Sequence, residues 1–489
     1  MGSEMYLGLD IGTSSVKGVL IGEKQKIIAT ASAPLKVSRP HPGWSEQAPE
    51  DWWKACNTVV KTLAKAKPKA VAAVDGIGLS GQQHGATLLD GAGQVLRPAI
   101  LWNDARAFEE CRDIEAREPN ARHIAGNIPL AGFTSPKLVW VKKHEPQIFE
   151  KVAKVLLPKD YVRFRMTGEY ASDMSDSAGT FWLDVEKRAW SDALLAAGGM
   201  RRDQMPALFE GTEATGKLAP AVAKSWGMAK RPVVAGGGGD NAAAACGIGA
   251  VTQGAAFISI GTSGVFFVSN DRFRPNAARA VHAFCHAVPD TWHQMGVILS
   301  AAASLEWLAG VLRTPAPKLT AALGNKLMGP SSTLFLPYLS GERTPVADAQ
   351  VRGLFMGLGH ETDAKALTHA VLDGVAFAFR DSLEALKAAG TVVDRVTAVG
   401  GGSRSELWLK IIATVLGLPV DVPADGDFGG AFGAARLGLI AARGASYNEV
   451  CTPPRFAKTI KPDSKLRACY DAQYARYAQI YPAIKDIRR

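Results

Sequence analysis

An aspartate that follows four glycines and precedes an alanine-rich run is well placed to take a proton. Asp240 stands so in "AGGGGDNAAAACG". The glycines offer a bare backbone before it and a helix follows, so its carboxylate would project into a cleft and act as a base on a substrate hydroxyl. Capping of the helix accounts for Asp240 and Asn241 equally well, since both residue types are good N-caps. It does not account for Gly236 to Gly239. A second constellation is a turn written twice, "LDIGTSSVKG" from Leu9 and "SIGTSGVFFV" from Ser259, almost half the 489-residue chain apart. Glycine lets an anion approach backbone N–H groups, and Thr13 or Thr262 adds a hydroxyl; Gly12 and Gly261 facing each other across a cleft would grip a polyphosphate at both ends. Taken singly, each is equally a tight β-turn that needs glycine for its backbone alone. The copies differ where Asp10 in the first becomes Ser259 in the second. A carboxylate beside a phosphate is repelled unless a divalent cation intervenes. Mg2+ held by Asp10 through water meets that need, and it is needed once.

Weaker signals surround these. Gly400 to Gly402 in "GGGSRSE" would let a flat adenine or ribose lie on the backbone, while Ser403 to Glu406 has the form of a capping box. The small residues of "DFGGAFGAARLG" suit either helix packing or nucleotide approach. Gln82, Gln83 and His84 in "SGQQHG" carry donors and acceptors that could read sugar hydroxyls. Asn103, Asp104 and Arg106 in "LWNDARA" are comparably open. Two nucleotide motifs fail. Gly237 to Ala242 fits a dinucleotide fingerprint, but no acidic residue occurs between 241 and 270 to hold a ribose. "GTEATGKL" fits a P-loop until Leu218, which cannot ligate magnesium.

The elements that must position these residues alternate between strand and helix, which implies an α/β architecture. "MYLGLDIG", "SVKGVLIG" and "KIIATASAPL" are expected to be strands, followed by an amphipathic helix entered through Pro49. "RPVVAGGGGDNAAAACGIG" and "RVTAVGGGSRSELWLKIIATVLG" each give strand, glycines, helix. Two half-length units that each open with strand, Gly-Thr-Ser and strand imply an internal duplication, with the ligand in the cleft between them.

Bulk properties agree. A chain of 489 residues exceeds one ordinary core, so two or more domains are expected. No apolar run is long enough to span a membrane, and the N-terminus lacks a signal peptide's basic start and apolar core. Six scattered cysteines without Cys-x-x-Cys spacing fit reduced thiols and a cytoplasmic setting. The net charge of +10 is dispersed, with "AKAKPKA" a modest cluster; it suits anionic nucleotides and sugar phosphates better than nucleic acid. The nine histidines form no metal-ligand spacing.

Together these motifs resemble the FGGY carbohydrate kinases of the actin-like ATPase superfamily, from about Met5 to Ile440. "GFTSPKLVWVKKH" from Gly132 is similar to the family's first signature. "GLFMGLGHETDAKALTHAVLD" from Gly353 is similar to the second, with Ala366 where an acidic or amide residue is usual. "HPGWSEQAPEDWW", "ILWNDARA", "LLPKDYVRFRMTGEYASDMSDSAGT" and "FLPYLSGERTP" resemble the xylulose-phosphorylating branch, with Gln83 where a bacterial form has Met. The resemblance implies two actin-like (ribonuclease H-like) α/β domains from a duplication: residues 5–248 on the sugar side, 249–450 on the nucleotide side, and a helical tail over 451–489. It implies ATP- and Mg2+-dependent phosphorylation of D-xylulose to D-xylulose 5-phosphate. Ribulose, gluconate or glycerol are the alternative acceptors, and an actin-like assembly ATPase is the alternative class. By the same resemblance Asp240 is the base; Gln83, His84, Asp240 and Asn241 contact the sugar; Asp10 organises Mg–ATP; Thr13, Gly261 and Thr262 flank the phosphates; and Gly401, Gly402 and Ser403 lie near the adenosine. Closure of the two halves would exclude water. Neither a nucleic-acid nor a membrane partner is implied, and an exposed face on the second domain would support a homodimer.

Overall fold

Short, mostly apolar runs between Met5 and Pro34 fold as an antiparallel meander of β1 (Met5–Ile11), β2 (Ser15–Gly22) and β3 (Ile27–Pro34). This is a computed structural model, which describes residues 4–424 and 428–487. Helix α1 (Pro49–Ala66) begins at the proline, gains no side-chain cap from Ala48, and buries Trp52, Val59 and Leu63. It leads to β4 (Val74–Gly81), parallel to β1. Helices α2 (Thr134–His144) and α3 (Pro158–Thr167) follow. An edge strand β5 (Ala214–Lys217), then β6 (Val233–Ala235) and the short β7 (Gly238–Gly239), complete the first sheet. Its order is β5-β6-β4-β1-β2-β3, with β7 beside the end of β4. Helix α4 (Asp240–Ile248) leaves that end directly.

The second half repeats the plan. Strands β8 (Ala256–Ile260), β9 (Gly264–Asn270), β10 (His282–Cys285) and β11 (Trp292–Ile298) are joined antiparallel. Helices α5 (Ala302–Val311) and α6 (Ala364–Lys387) precede β12 (Val396–Val399), α7 (Glu406–Leu416), β13 (Val420–Pro423), α8 (Gly430–Arg443), β14 (Phe456–Ile460) and α9 (Arg467–Tyr477). The order is β10-β11-β9-β8-β12-β13-β14. In each sheet an antiparallel meander meets parallel strands at its first member: β1 pairs with β4, and β8 with β12.

Sequence order and spatial grouping part at two places. Helix α8 comes from the second half but lies on the first sheet. A Cβ at Gly8 would overlap the Ala431 carbonyl, one at Gly78 the Ala434 carbonyl, and one at Gly433 the Ala243 carbonyl of α4. The small residues of "DFGGAFGAARLG" therefore serve this close packing; Asp427 of that motif lies outside the described residues. The C-terminal segment is also more than a helical tail. Strand β14 completes the second sheet, and α9 packs Tyr470, Tyr474 and Tyr477 around Phe377 of α6.

The expected capping box shifts by two residues. Gly401–Arg404 forms a 3-10 turn, and the Ser403 hydroxyl bonds back to the Gly400 carbonyl at 2.7 Å. Ser405 is the actual N-cap of α7, its hydroxyl accepting from Trp408 N–H at 3.3 Å.

Candidate active site

Asp10 and Ser80 are register partners on β1 and β4, so both side chains leave the same face of the sheet, and Ser80 Oγ donates to Asp10 Oδ1 at 2.8 Å. Gly430, the first residue of α8, lies against them. A Cβ there would come within 3.1 Å of Asp10 Oδ2 and 2.7 Å of Ser80 Oγ. Only glycine allows α8 to start this close to both side chains, and the positive end of its dipole favours negative charge at this point.

Asp240 opens α4 without capping it: Gly239 is the cap position, and the Asp240 carboxylate accepts from Asn241 N–H at 2.7 Å and Asn241 Nδ2 at 2.9 Å. Burial, reinforced by the Asp10 carboxylate, pushes Asp240 up to about 6. That value suits a base working near neutral pH. The glycines before it are closely packed, contrary to the expectation of an uncovered run. A Cβ at Gly236 would overlap the Glu210 carbonyl; one at Gly237, where φ is +73°, the Leu79 carbonyl; and one at Gly239 would come within 2.6 Å of Gln83 Nε2. The run has no side chains because its backbone threads between others.

The two Gly-Thr-Ser turns differ in build. β1 and β2 part after the pair Ile11–Val16, whereas β8 and β9 part after Ile260–Gly264, so the first turn is one residue longer. Gly12 N–H donates to the Ser15 carbonyl (3.0 Å), Gly261 N–H to that of Ser263 (3.1 Å). Each glycine thus closes its own turn rather than offering its N–H to an anion. Thr13 Oγ1 donates to Gln82 Oε1 (3.1 Å) and accepts from Trp102 Nε1 (3.0 Å). Gln82 is accordingly a brace for the turn, tied onward to Gln47 Oε1 at 2.9 Å. The second turn is held by backbone alone: the Thr262 carbonyl accepts from Ala301 and Ala303, and that of Gly261 from Ala302.

Gly261, Thr262, Gly401 and Gly402 line one cavity of ≈ 890 Å³, walled by α5 and the 316–323 helix. Around the loop, Gly402 packs on the Ile260 side chain, while a Cβ at Gly401 would meet nothing within 4 Å. Ser403 falls on the other side of the loop. It lines a neighbouring cavity of ≈ 690 Å³ together with Asn241, Ser259 and Phe428.

Gln83 and His84 leave the end of β4. Gln83 Nε2 donates to the Ser175 carbonyl at 3.2 Å, which leaves Oε1 available. His84 adopts a left-handed backbone, φ +69°, a conformation a non-glycine residue holds only where its surroundings impose it. Its carbonyl accepts from Thr134 Oγ1 (3.1 Å) and from the buried Lys137 Nζ (2.8 Å), both on α2. Burial, with Lys137 and Arg343 nearby, lowers the imidazole to about 3, so it is neutral. The contact of His84 Nδ1 with the Gly179 carbonyl at 2.6 Å requires the proton on Nδ1, leaving Nε2 as an acceptor. Asp104 and Arg106 prove structural: Asp104 accepts from Ser45 N–H at 2.6 Å, and Arg106 pairs with it at 2.7 Å while stacking on Trp44.

Sequence reasoning missed Ser80, Trp102, and a buried cluster of Lys159, Asp160, Arg163, Asp173, Ser175 and Asp176 beneath the glycine run. The signal for the cluster was present in charged residues spaced through otherwise apolar "PKDYVRFRM". Among the described residues no three His, Cys, Asp or Glu side chains form a metal-binding group, and no helix is long and apolar enough to cross a membrane.

Two duplicated sheets, each with a Gly-Thr-Ser turn at the end of its first strand, form the two-domain fold of the actin-like, ribonuclease H-like ATPases. The profile for the N-terminal domain of the FGGY family of carbohydrate kinases matches residues 5–247, and that for the C-terminal domain matches 256–442. The chain is 49% identical over 481 residues to the xylulose kinase of Escherichia coli (strain K12), covering 98% of each. The crystal structure of a "xyloylose kinase" from Brucella ovis superposes with a TM-score of 0.97 at 57% identity, over 99% of this chain and 100% of the other. That of the xylulose kinase from Rhodospirillum rubrum gives 0.92 at 28%, over 99% of both. The chain belongs to the FGGY family of carbohydrate kinases and is an ATP-dependent sugar kinase.

Proposed function

We propose that this sugar kinase phosphorylates D-xylulose on its terminal hydroxyl, giving D-xylulose 5-phosphate and ADP. Full-length similarity to xylulose kinases supports the substrate. The observation that carries the mechanism is the Asp240 carboxylate, which burial and the neighbouring Asp10 push up to about 6.

Residues 5–248 form the sugar side and 249–450 the nucleotide side, except that α8 reaches back to Asp10. The ≈ 890 Å³ cavity takes the adenosine against Gly401 and Gly402, with Ser403 fixing the loop behind. Thr13 on one turn, and Gly261 and Thr262 on the other, flank the phosphates. His84 Nε2, Gln83 Oε1 and Asn241 hold the sugar so that its terminal hydroxyl faces Asp240. Asp240 accepts the hydroxyl proton as the oxygen bonds to phosphorus. Phosphoryl transfer depends on alignment and charge neutralisation more than on a strong base, and a carboxylate near 6 suffices.

The residues fit Mg2+: Asp10 supplies a hard carboxylate donor at the end of β1, where the ion would be held partly through water. Bound there with the phosphates, the ion would neutralise their charge. Closure of the halves excludes water from Asp240, so hydrolysis of ATP without sugar is expected to be slow.

The test is ADP release with Mg–ATP against D-xylulose, D-ribulose, L-ribulose, gluconate and glycerol. Preference for D-xylulose, lost in Asp240→Asn with ATP binding intact, is expected. Preference for another acceptor would overturn the substrate and leave the mechanism. ATP turnover indifferent to any sugar would overturn both.

A further inference from the structure

Beneath the glycine run lies a group of charges with no contact to solvent. Lys159 Nζ pairs with Asp160 (2.6 Å), Asp173 (2.7 Å) and Asp176 (3.1 Å), every side chain fully buried. The carboxylates outweigh burial and hold Lys159 above its usual range, while burial pushes Asp176 up. Burying so many charges is costly and is poor evidence of stabilisation by itself. Its retention asks for another role.

Two contacts lead from this cluster to opposite ends of the glycine run. Arg163, beside Asp160 at 3.5 Å, donates from Nη2 to the Gly236 carbonyl. Ser175 Oγ donates to Asp173 Oδ2 at 2.5 Å and accepts from Gly239 N–H at 3.1 Å. The run is thereby pinned at its first and last glycine, and the next residue is Asp240. Ser175 has a third contact: its carbonyl accepts from Gln83 Nε2. One residue is bonded both to the glycine before the proposed base and to the proposed sugar-binding amide.

We propose that Ser175, oriented by Asp173 and Lys159, is a positioning residue that fixes Asp240 and Gln83 relative to one another, so that base and sugar hydroxyl meet in register. This rests on the roles proposed above for Asp240 and Gln83. Misplacement of a reacting group by about 1 Å is enough to cost on the order of 10²-fold in rate. Loss of the Ser175 hydroxyl acts on the sugar side and leaves the nucleotide cavity untouched.

The experiment measures kcat and both KM values, with thermal melting, for the full chain carrying Ser175→Ala, Ser175→Cys, Ser175→Thr or Ser177→Ala. Ser177 belongs to the same buried cluster, bonding Ser172 at 2.9 Å, and serves as the structural control. Ser175→Ala is expected to lower kcat/KM for D-xylulose about 30-fold or more, with KM for ATP within about twofold. Ser175→Cys keeps nearly the same volume with a weak acceptor and should fall comparably, while Ser175→Thr retains the hydroxyl and should recover most of the loss. Ser177→Ala should lower the melting temperature without that loss. The inference is overturned if Ser175→Ala and Ser175→Cys stay within twofold of the parent, or if Ser177→Ala matches them in both sugar and ATP parameters. Should Ser175→Ala not fold, the cysteine and threonine variants decide. Asp240→Asn run in parallel separates the two levels: turnover surviving there sinks the proposed base, whereas an inactive Asp240→Asn beside an unaffected Ser175→Ala sinks the positioning role alone.

Discussion

The two lobes share a topology and use it differently. At the end of the first strand, one carries Asp10 and the other Ser259. The turn after Asp10 is held by side chains, through Gln82 and Trp102 on Thr13; that after Ser259 is held by backbone N–H groups at the start of α5. The contrast extends to buried charge. The first lobe buries Lys159 and Arg163 among three carboxylates. The second buries Glu342 beside Arg343 and Asp373 beside His369, and there burial outweighs the neighbour and drives each acid up to about 8. The lobe that carries Asp10 and the proposed base Asp240 uses its polar groups to fix backbone. The other presents the ≈ 890 Å³ cavity lined by Gly261, Thr262, Gly401 and Gly402.

The sharpest way to break the comparison is to remove the acid from each side. Asp240→Asn should lower kcat by about 10³-fold with ATP binding retained, within the usual range for a lost general base. Asp10→Asn should lower kcat about 10²-fold and raise the Mg2+ concentration needed for half-maximal rate. Ser259→Ala should stay within about threefold on both measures. Equal losses at Asp10 and Ser259 would mean that the lobes share the chemistry evenly.

A pH profile sharpens the same point. Asp240 must be ionised to accept a proton, and its value is raised to about 6 by burial and by Asp10. Hence kcat/KM for the sugar should be flat near neutrality and fall about tenfold per unit below pH 6. An inflection near 4 instead would place Asp240 in an ordinary solvated setting.

Much of this could be read from the chain. The meander, α1 and the duplicated turns follow from apolar runs bounded by turn residues, Pro49 and repeated Gly-Thr-Ser, which are local signals. Asp240 stood out because the glycines isolate it. What escaped was non-local. Ser80 matters only because parallel pairing sets it beside Asp10, and Gln82 turned out to serve Thr13, 69 positions away. The same holds for "GGGSRSE", whose spacing fits a capping box until the Ser403 hydroxyl is seen bonded to Gly400. Glycine itself is ambiguous in sequence: Gly401 faces open space while Gly402 lies on Ile260. That ambiguity has a test within the proposed nucleotide lobe. Gly401→Ala should raise KM for ATP several-fold at unchanged melting temperature. Gly402→Ala should instead destabilise by about 1–3 kcal/mol as Ile260 is displaced.

The smallest expected effect concerns stability in the second lobe. Glu342 accepts from Leu299 N–H at 2.9 Å and Arg343 N–H at 2.8 Å through one oxygen, yet burial outweighs these bonds and holds it up at about 8. A carboxyl whose folded value exceeds its unfolded one binds its proton more tightly when folded. Its contribution is therefore complete below about 4.5, the ordinary value, and is lost as pH rises through about 8. Across that window one such group changes stability by up to about 1.4 kcal/mol per pH unit. The parent should accordingly melt at lower temperature at pH 9 than at pH 6. Glu342→Gln, which is neutral throughout, should show a shallower decline. The paired charges of the first lobe provide the contrast, since Lys159 is held above its usual range and stays charged throughout the window. If Glu342→Gln melts with the same pH slope as the parent, Glu342 is ionised in the folded lobe, and this part of the difference between the lobes disappears.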